Sequence, residues 1–355
     1  MRRALVVAIA LLAFGAGTVL PSSAQDVEWE TIELLPLVEG DDAFVSDVND
    51  AGVSVGASGD DLGFGTPVRW DVDGDPTALP LPQGCTGGMV RDVSNTGLMV
   101  GYSNACGGGI VGERPIRWNA NGTLLDVVPA TIPSPWPNAV VSDTGYVAGS
   151  AWADGRLQPA VQAFAGGPVT LLADAGSPGP TVVTGLTSYG YVVGNVRFLG
   201  RPAGASEFMP AGWIGPYAFP LSLAADAEAV AVNEPGYALL ELRETAGASD
   251  DVRGVLVGPG GRIVELHSTA QDKDEMVDIN DLNIVLGSRG EADDIYGALF
   301  GTSGVVPLED LAAAGDGAAW GRYRFPVALN DDVWVVGLHG DAGHIRSWLL
   351  RPPTS

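Results

Sequence analysis

A motif recurs seven times along the chain, ending at Gly56, Gly101, Gly149, Gly194, Leu240, Gly287 and Gly337. The steps between these anchors are 45, 48, 45, 46, 47 and 50 residues, a nearly constant period over most of the 355 residues. Such a period means that one supersecondary unit is copied along the chain and that neighbouring copies bury each other's apolar faces. The first copy runs from Asp47 to Gly56 and the second from Asp92 to Gly101; in both, Asn, Asp and Gly sit between Val- and Leu-rich flanks. Those residues tolerate the positive φ of a tight turn and the flanks favour extended chain, so each copy is expected to be a β-hairpin.

After a variable stretch each unit supplies a second hairpin. Pro67–Trp70 is followed by a turn at Asp71 to Asp75 and by Ala78 to Leu81, and Pro115–Trp118 is followed by Asn119 to Gly122 and Leu124 to Val128. Tyr296 to Phe300 with Val305 to Leu308, and Val255 to Val257 with Ile263 to Leu266, fill the same slots. Four short strands per period describe a blade of a β-propeller. The last unit ends after its third strand, near Leu350, while Trp29 to Leu37 reads like a fourth strand placed ahead of the first unit. The expected fold is therefore an all-β, seven-bladed propeller of four-stranded antiparallel blades, with the N-terminal strand completing the last blade so that no sheet edge stays open.

Residues 1–24 are read apart from that domain. Arg2 and Arg3 precede an apolar run from Ala4 to Leu20, and small residues up to Ala24 suit cleavage, which makes this stretch a secretory signal peptide. Residues 25–355 then form a single propeller domain, expected to be secreted, extracellular, monomeric and free of the membrane once the signal is removed. Without Arg2 and Arg3, 16 basic residues face 43 acidic ones, a formal charge of −27. A field of that sign repels nucleic acid, which is excluded as a partner.

The two cysteines, Cys85 and Cys106, flank the second hairpin. Their numbers sum to that of facing residues across a turn centred on Asn95 and Thr96, so they are expected to form a disulfide at its open end.

Chemical signals are sparse. Asp71, Asp73 and Asp75 have the alternate-carboxylate spacing that calcium loops use, although a plain hairpin turn explains them as well. His339, Asp341 and His344 combine imidazole and carboxylate within one loop and are a second set of metal candidates. No cofactor is otherwise expected, with calcium the one cation that the spacing admits. The acidic pairs Asp250 with Asp251 and Asp293 with Asp294 fall between second and third strands, Trp136 and Trp152 fall in connections on the same face, and Arg156 and Arg197 are the cationic candidates beside them. Those connections share a face on which propellers commonly bind ligands, so these residues are the candidate binding set. Trp70, Trp118, Trp213 and Trp348 lie in strands and are assigned to inter-blade packing.

The repeat Asp47 to Gly56 with Pro67–Trp70, its copy Asp92 to Gly101 with Pro115–Trp118, and the late copy Asp278 to Gly287 with Gly297 to Phe300 resemble the bacterial extracellular repeats of the HAF family. The likeness covers residues 43–350. It implies a secreted, propeller-like protein and carries over no catalytic residue.

Two functional classes stay open. The first is a secreted binding or scaffold module that holds a glycan, peptide or surface partner on its loop face, and it fits a chain without a catalytic signature. The second is an exported hydrolase or lyase whose carboxylates, brought together from different blades, work at the channel mouth. The sequence favours the first without deciding whether the protein is an enzyme.

Overall fold

The computed structural model describes residues 29–59, 65–104, 106, 114–127, 139–163, 166–173, 181–197, 208–215, 217–221, 227–244, 251–266, 274–290, 295–302, 304–312, 325–341 and 343–353. They form seven four-stranded antiparallel sheets arranged as a ring, a seven-bladed β-propeller. Blade 1 consists of Asp42–Val48, Ser54–Gly59, Thr66–Trp70 and Pro76–Ala78, and blade 2 of Gly87–Val93, Met99–Asn104, Arg114–Trp118 and Leu124–Val127. Blades 3 to 6 repeat the order, with first strands Val140–Val141, Thr181–Leu186, Ala227–Val232 and Asp274–Ile279. Among the described residues, no helix is long and apolar enough to cross a membrane.

Blade 7 closes the ring as the sequence implied. Its strands Phe325–Leu329, Val335–Asp341 and His344–Arg351 are joined by Glu30–Leu34, which pairs with the third strand from Glu30 opposite Arg351 to Leu34 opposite Ser347. The Ser347 hydroxyl donates to the Ala43 carbonyl at 2.7 Å and accepts from the Val45 N–H at 2.9 Å, stitching blade 7 to the first strand of blade 1.

The apolar core lies between blades as well as within them. Trp70, Trp118 and Trp213 occupy equivalent places in third strands, Trp348 lies in the third strand of blade 7 opposite Gly337, and none of the four has exposed surface. Each of the first three sends its indole N–H to a carbonyl in or beside the fourth strand of the preceding blade: Trp70 to Leu35, Trp118 to Pro80 and Trp213 to Ala173. One side chain thus fills the seam with aromatic surface and satisfies its polar edge across it.

The anchor glycines have a steric cause. In six blades the first strand carries a bulge, as between Val45 and Asp47 or Val90 and Asp92, and the anchor sits opposite it. A Cβ at Gly56 would fall 1.9 Å from the Phe44 carbonyl oxygen, and one at Gly101 would fall 2.0 Å from that of Met89. At these two positions the facing backbone comes too close for a side chain, whereas the same place opposite the bulge of blade 5 holds the buried Leu240.

The same bulge explains the disulfide. Cys85 and Cys106 are bonded, with an S–S distance of 2.01 Å. The turn runs from Ser94 to Leu98 and pairs Val93 with Met99, a register one residue off that inferred from the sequence. The extra residue in the bulge then shifts the pairing, so that Gly87 faces Asn104 and the cysteines beyond them meet.

Candidate functional site at the channel mouth

All seven first hairpins turn in the same way. The residue that opens each turn, Asn49, Ser94, Ser142, Thr187, Asn233, Asn280 or Asn330, accepts through its side-chain oxygen from the backbone N–H four positions later, at 2.7 to 3.1 Å. Three residues after the opener the backbone enters the left-handed region, at Gly52, Gly97, Gly145, Gly190 and Gly236, and also at Asn283 and Val333. Short polar openers and a following glycine are the residues that this turn geometry selects.

The second residue of each turn reaches towards the next blade. The backbone N–H of Asp50 donates to Asn95 Oδ1 at 2.8 Å, that of Asn95 to Asp143 Oδ1 at 2.6 Å, and that of Ser188 to Glu234 Oε1 at 2.7 Å. Glu234 donates to Asp281, Asp281 to Asp331 and Asp331 back to Asp50, at 2.8, 2.7 and 2.9 Å. At the junction of blades 3 and 4, where Ser188 is too short to play this part, the Thr144 hydroxyl donates to the Ser188 carbonyl at 2.7 Å. Amide side chains add a second tie at four junctions: Asn49 to the Ser94 carbonyl, Asn233 to Asn280, Asn280 to Asn330 and Asn330 to Asn49. The turns are thereby laced into a closed ring around the channel, and five of its seven members, Asp50, Asp143, Glu234, Asp281 and Asp331, are acids.

Three more aspartates lie deeper, just past the bulges. Asp47 accepts from the Val93 N–H and Asp278 from the Leu329 N–H, each in the next blade, and Asp92 accepts likewise from the Val141 N–H. These side chains are enclosed by protein yet retain partial access to solvent, as residues lining a narrow channel do. Burial, reinforced by the neighbouring Asp92, pushes the Asp47 carboxyl well above the ordinary carboxylate range. Burial also raises Asp92, against the opposing hydrogen bonds it accepts, and lifts Asp278 to about 7. In the outer ring, burial together with the charges of Asp50 and Asp281 raises Asp331 to about 7. Asp50 is raised by burial and by the charges of Asp332, Asp143 and Asp281. The turn-to-turn hydrogen bonds draw these acids together around the axis, close enough for their charges to disfavour one another's ionised forms.

The sequence-derived candidates lie elsewhere. First-to-second and third-to-fourth turns share one face of the ring, whereas the loops nominated as the binding rim lie on the opposite face. Arg156 begins the third strand of blade 3 and Arg197 ends the second strand of blade 4, both on that opposite face. Trp152 and Asp251 fall within strands and their side chains are not described, while Trp136, Asp250, Asp293 and Asp294 lie outside the described residues. Asp71 caps its own turn by accepting from the N–H groups of Asp73 and Asp75, both at 3.0 Å. His339 is buried in the second strand of blade 7, opposite Arg346. His344 places Nδ1 3.3 Å from the Asp42 carboxylate of blade 1, and Asp341 pairs with it in register, its side chain not described. Among the described residues, no three His, Cys, Asp or Glu side chains form a group suited to a metal ion. Arg289, a cation that could have served a catalytic cluster, is held by Asp274 in a buried two-bond ion pair at 2.8 and 2.9 Å.

The acidic ring itself was overlooked in the sequence although its signal is there. Asp50, Asn95, Asp143, Glu234, Asp281 and Asp331 recur at one repeat position. Read as turn formers they are unremarkable; placed on the axis-facing hairpin of seven blades, they must meet.

No family model matches the chain, and none of the curated proteins matches it. Solved structures share its shape. The β-propeller domain of the trilobed protease from Pyrococcus furiosus superposes with a TM-score of 0.59 at 12% identity, over 88% of this chain and 96% of that one. An oligogalacturonate lyase in complex with manganese gives 0.53 at 12% identity, over 92% and 98%. YCF48 bound to D1 peptide gives 0.52 at 14% identity, over 92% and 97%. At such identities the likeness establishes the fold alone: the chain is a seven-bladed β-propeller.

Proposed function

We propose that the protein is an exported binding or scaffold propeller, one that holds a glycan, peptide or surface partner and carries out no chemistry on it. The observation that carries this reading is the use of the converged carboxylates. Each of the five acids of the outer ring accepts a backbone N–H from the neighbouring turn, so these groups serve to hold the blades together. Propellers with the same shape include hydrolases, lyases and binding proteins, and fold alone does not choose among them. Export follows from the residue 1–24 leader, and an N-terminus at Gln25 in the protein recovered outside the cell would support it.

A thermal-melt screen against oligosaccharides, peptides, calcium and zinc tests the reading, because a ligand of the native state raises the melting temperature. A shift with one oligosaccharide or peptide, without turnover, supports it. Melting unchanged by every ligand, together with turnover of a substrate, refutes it.

A second reading rests on Asp278 and Asp331, whose carboxyls titrate at about 7, the range that suits a general acid or base near neutral pH. It makes the protein a carboxylate-dependent hydrolase or lyase working at the channel mouth. Activity abolished by Asp278→Asn would favour it.

A further inference from the structure

The face that carries the acidic ring also carries much of the exposed apolar surface. Tyr217 is 73% exposed, Ile263 66%, Tyr189 59%, Leu282 55% and Ile214 53%, and all five stand in or beside the turns of blades 4, 5 and 6. They are held in place by rigid neighbours. Ile214 and Tyr217 face each other at the end of the hairpin of blade 4, and Tyr189 packs against Gly236 of blade 5, beside Pro259. Large apolar side chains exposed at hairpin tips on one face contribute little to the core, and exposed apolar surface of this kind marks an interaction surface. Among the described residues in the turns of these three blades, the acids Glu234 and Asp281 outnumber the one cation, Arg262.

We propose that this turn face is a docking surface for a cationic segment of a partner protein, whose Lys or Arg side chains meet the acidic mouth while its apolar side chains cover Tyr189, Ile214, Tyr217, Ile263 and Leu282. Charge complementarity selects that occupant. Glu234 and Asp281 stand in the turns beside the patch, and the whole chain carries a formal charge of −25 with a single lysine, Lys273. A second copy of the chain would set one acidic mouth against another, at a cost in repulsion. Sugars stack on aromatic faces, and three of the five side chains are aliphatic, which suits peptide side chains instead. The inference rests on the binding reading above and names the partner class and the face.

The test uses the purified protein and two labelled peptides of one pattern, in which Trp and Leu alternate with Lys and Arg in the first and with Glu in the second. Fluorescence anisotropy is measured at low and at high salt, for the native chain and for the double variant Tyr217→Ser with Ile263→Ser. Both positions are exposed, so the variant should fold, and an unchanged melting temperature verifies that it does. The basic peptide should bind, its affinity should fall about tenfold or more in the variant and again in high salt, and the acidic peptide should not bind. Absence of binding by the basic peptide at about 1 mM, or binding equal in both proteins, overturns the proposal. So does self-association of the native chain that the variant abolishes, which would make the patch a homodimer interface. If the ligand screen finds a glycan or peptide whose binding ignores the double variant, this inference fails while the binding reading stands.

Discussion

The backbone N–H of Asp331 donates to the carboxylate of Asp50 at 2.9 Å, joining two residues 281 positions apart. This bond closes the lacing of the turns where the last blade meets the first. Beside it the Asn330 side chain donates to the Asn49 carbonyl at 2.9 Å and accepts from the Trp334 N–H at 2.7 Å. Because Asn330 is buried, Asn330→Ala takes the acceptor from the Trp334 N–H and the tie from the Asn49 carbonyl, which keeps only the Gly52 N–H. We expect it to cost about 2 to 3 kcal/mol, read as a lowered denaturation midpoint at unchanged slope. A loss below about 0.5 kcal/mol would show that the lacing does not hold the ring.

Gly52 tests the same junction from the other side. It adopts φ +74, and a Cβ there would sit 2.2 Å from the ring of Trp334 in blade 7. Gly155 has a nearly identical φ of +78 with nothing within 4 Å. Gly155→Ala should therefore cost only the backbone strain, about 1 kcal/mol, and Gly52→Ala substantially more, about 3 kcal/mol, through overlap with the indole. Equal losses in thermal melts would mean that blades 1 and 7 are not packed as described.

The channel acids make stability depend on pH in an unusual direction. Asp278 rises from 3.8 to about 7 because burial, aided by the charge of Asp92, disfavours its ionised form. The folded state then binds the proton more tightly than the unfolded chain. The stabilisation is fully present below about pH 4 and is lost as pH rises through about 7. Denaturant midpoints should accordingly be higher at pH 5 than at pH 8, with Asp278 contributing on the order of 2 kcal/mol to the difference. Asp278→Asn, which keeps an acceptor and never ionises, should shrink the difference; an undiminished pH dependence in that variant would locate its source elsewhere.

The Cys85–Cys106 bond closes a segment of sequence separation 21. Thiol titration of the native, unreduced protein should find no reactive group. Replacing both cysteines by serine should lower stability by about 3 kcal/mol through the freed entropy of the unfolded chain, and two titratable thiols in the native protein would refute the pairing.

Much of the fold was legible in the sequence because the repeat is written in residues that serve local geometry. Turn formers such as Asn49 and Gly52, strand formers such as Val55, and the seam residues Trp70 and Trp118 each announce their role at a fixed position. The closing strand was legible too, since a ring with one strand missing at the end and one spare at the start has a single economical solution. The bulges were not, because nothing in Val45–Ser46–Asp47 distinguishes a bulged strand from a regular one. The disulfide was inferred from a register one residue off at the turn, and the unseen bulge restored the match. The acidic mouth was missed for a different reason. Asp50, Asp281 and Asp331 are each ordinary turn residues, and only the closure of the ring brings them within reach of one another. Lone signals such as Asp71 with Asp73 and Asp75 drew attention instead, and in the structure Asp71 caps its own turn.

The most direct measurement is an assay of bond cleavage. The purified protein is incubated with polysaccharide and peptide panels at pH 5, 7 and 8, and products are analysed by mass spectrometry alongside the Asp278→Asn variant. If the carboxylates of the channel serve as ties between blades, no substrate is cleaved, while ligands from the same panels raise the melting temperature. Cleavage that follows the protonation of a group near pH 7 and disappears in Asp278→Asn would contradict the account and make the channel mouth an active site.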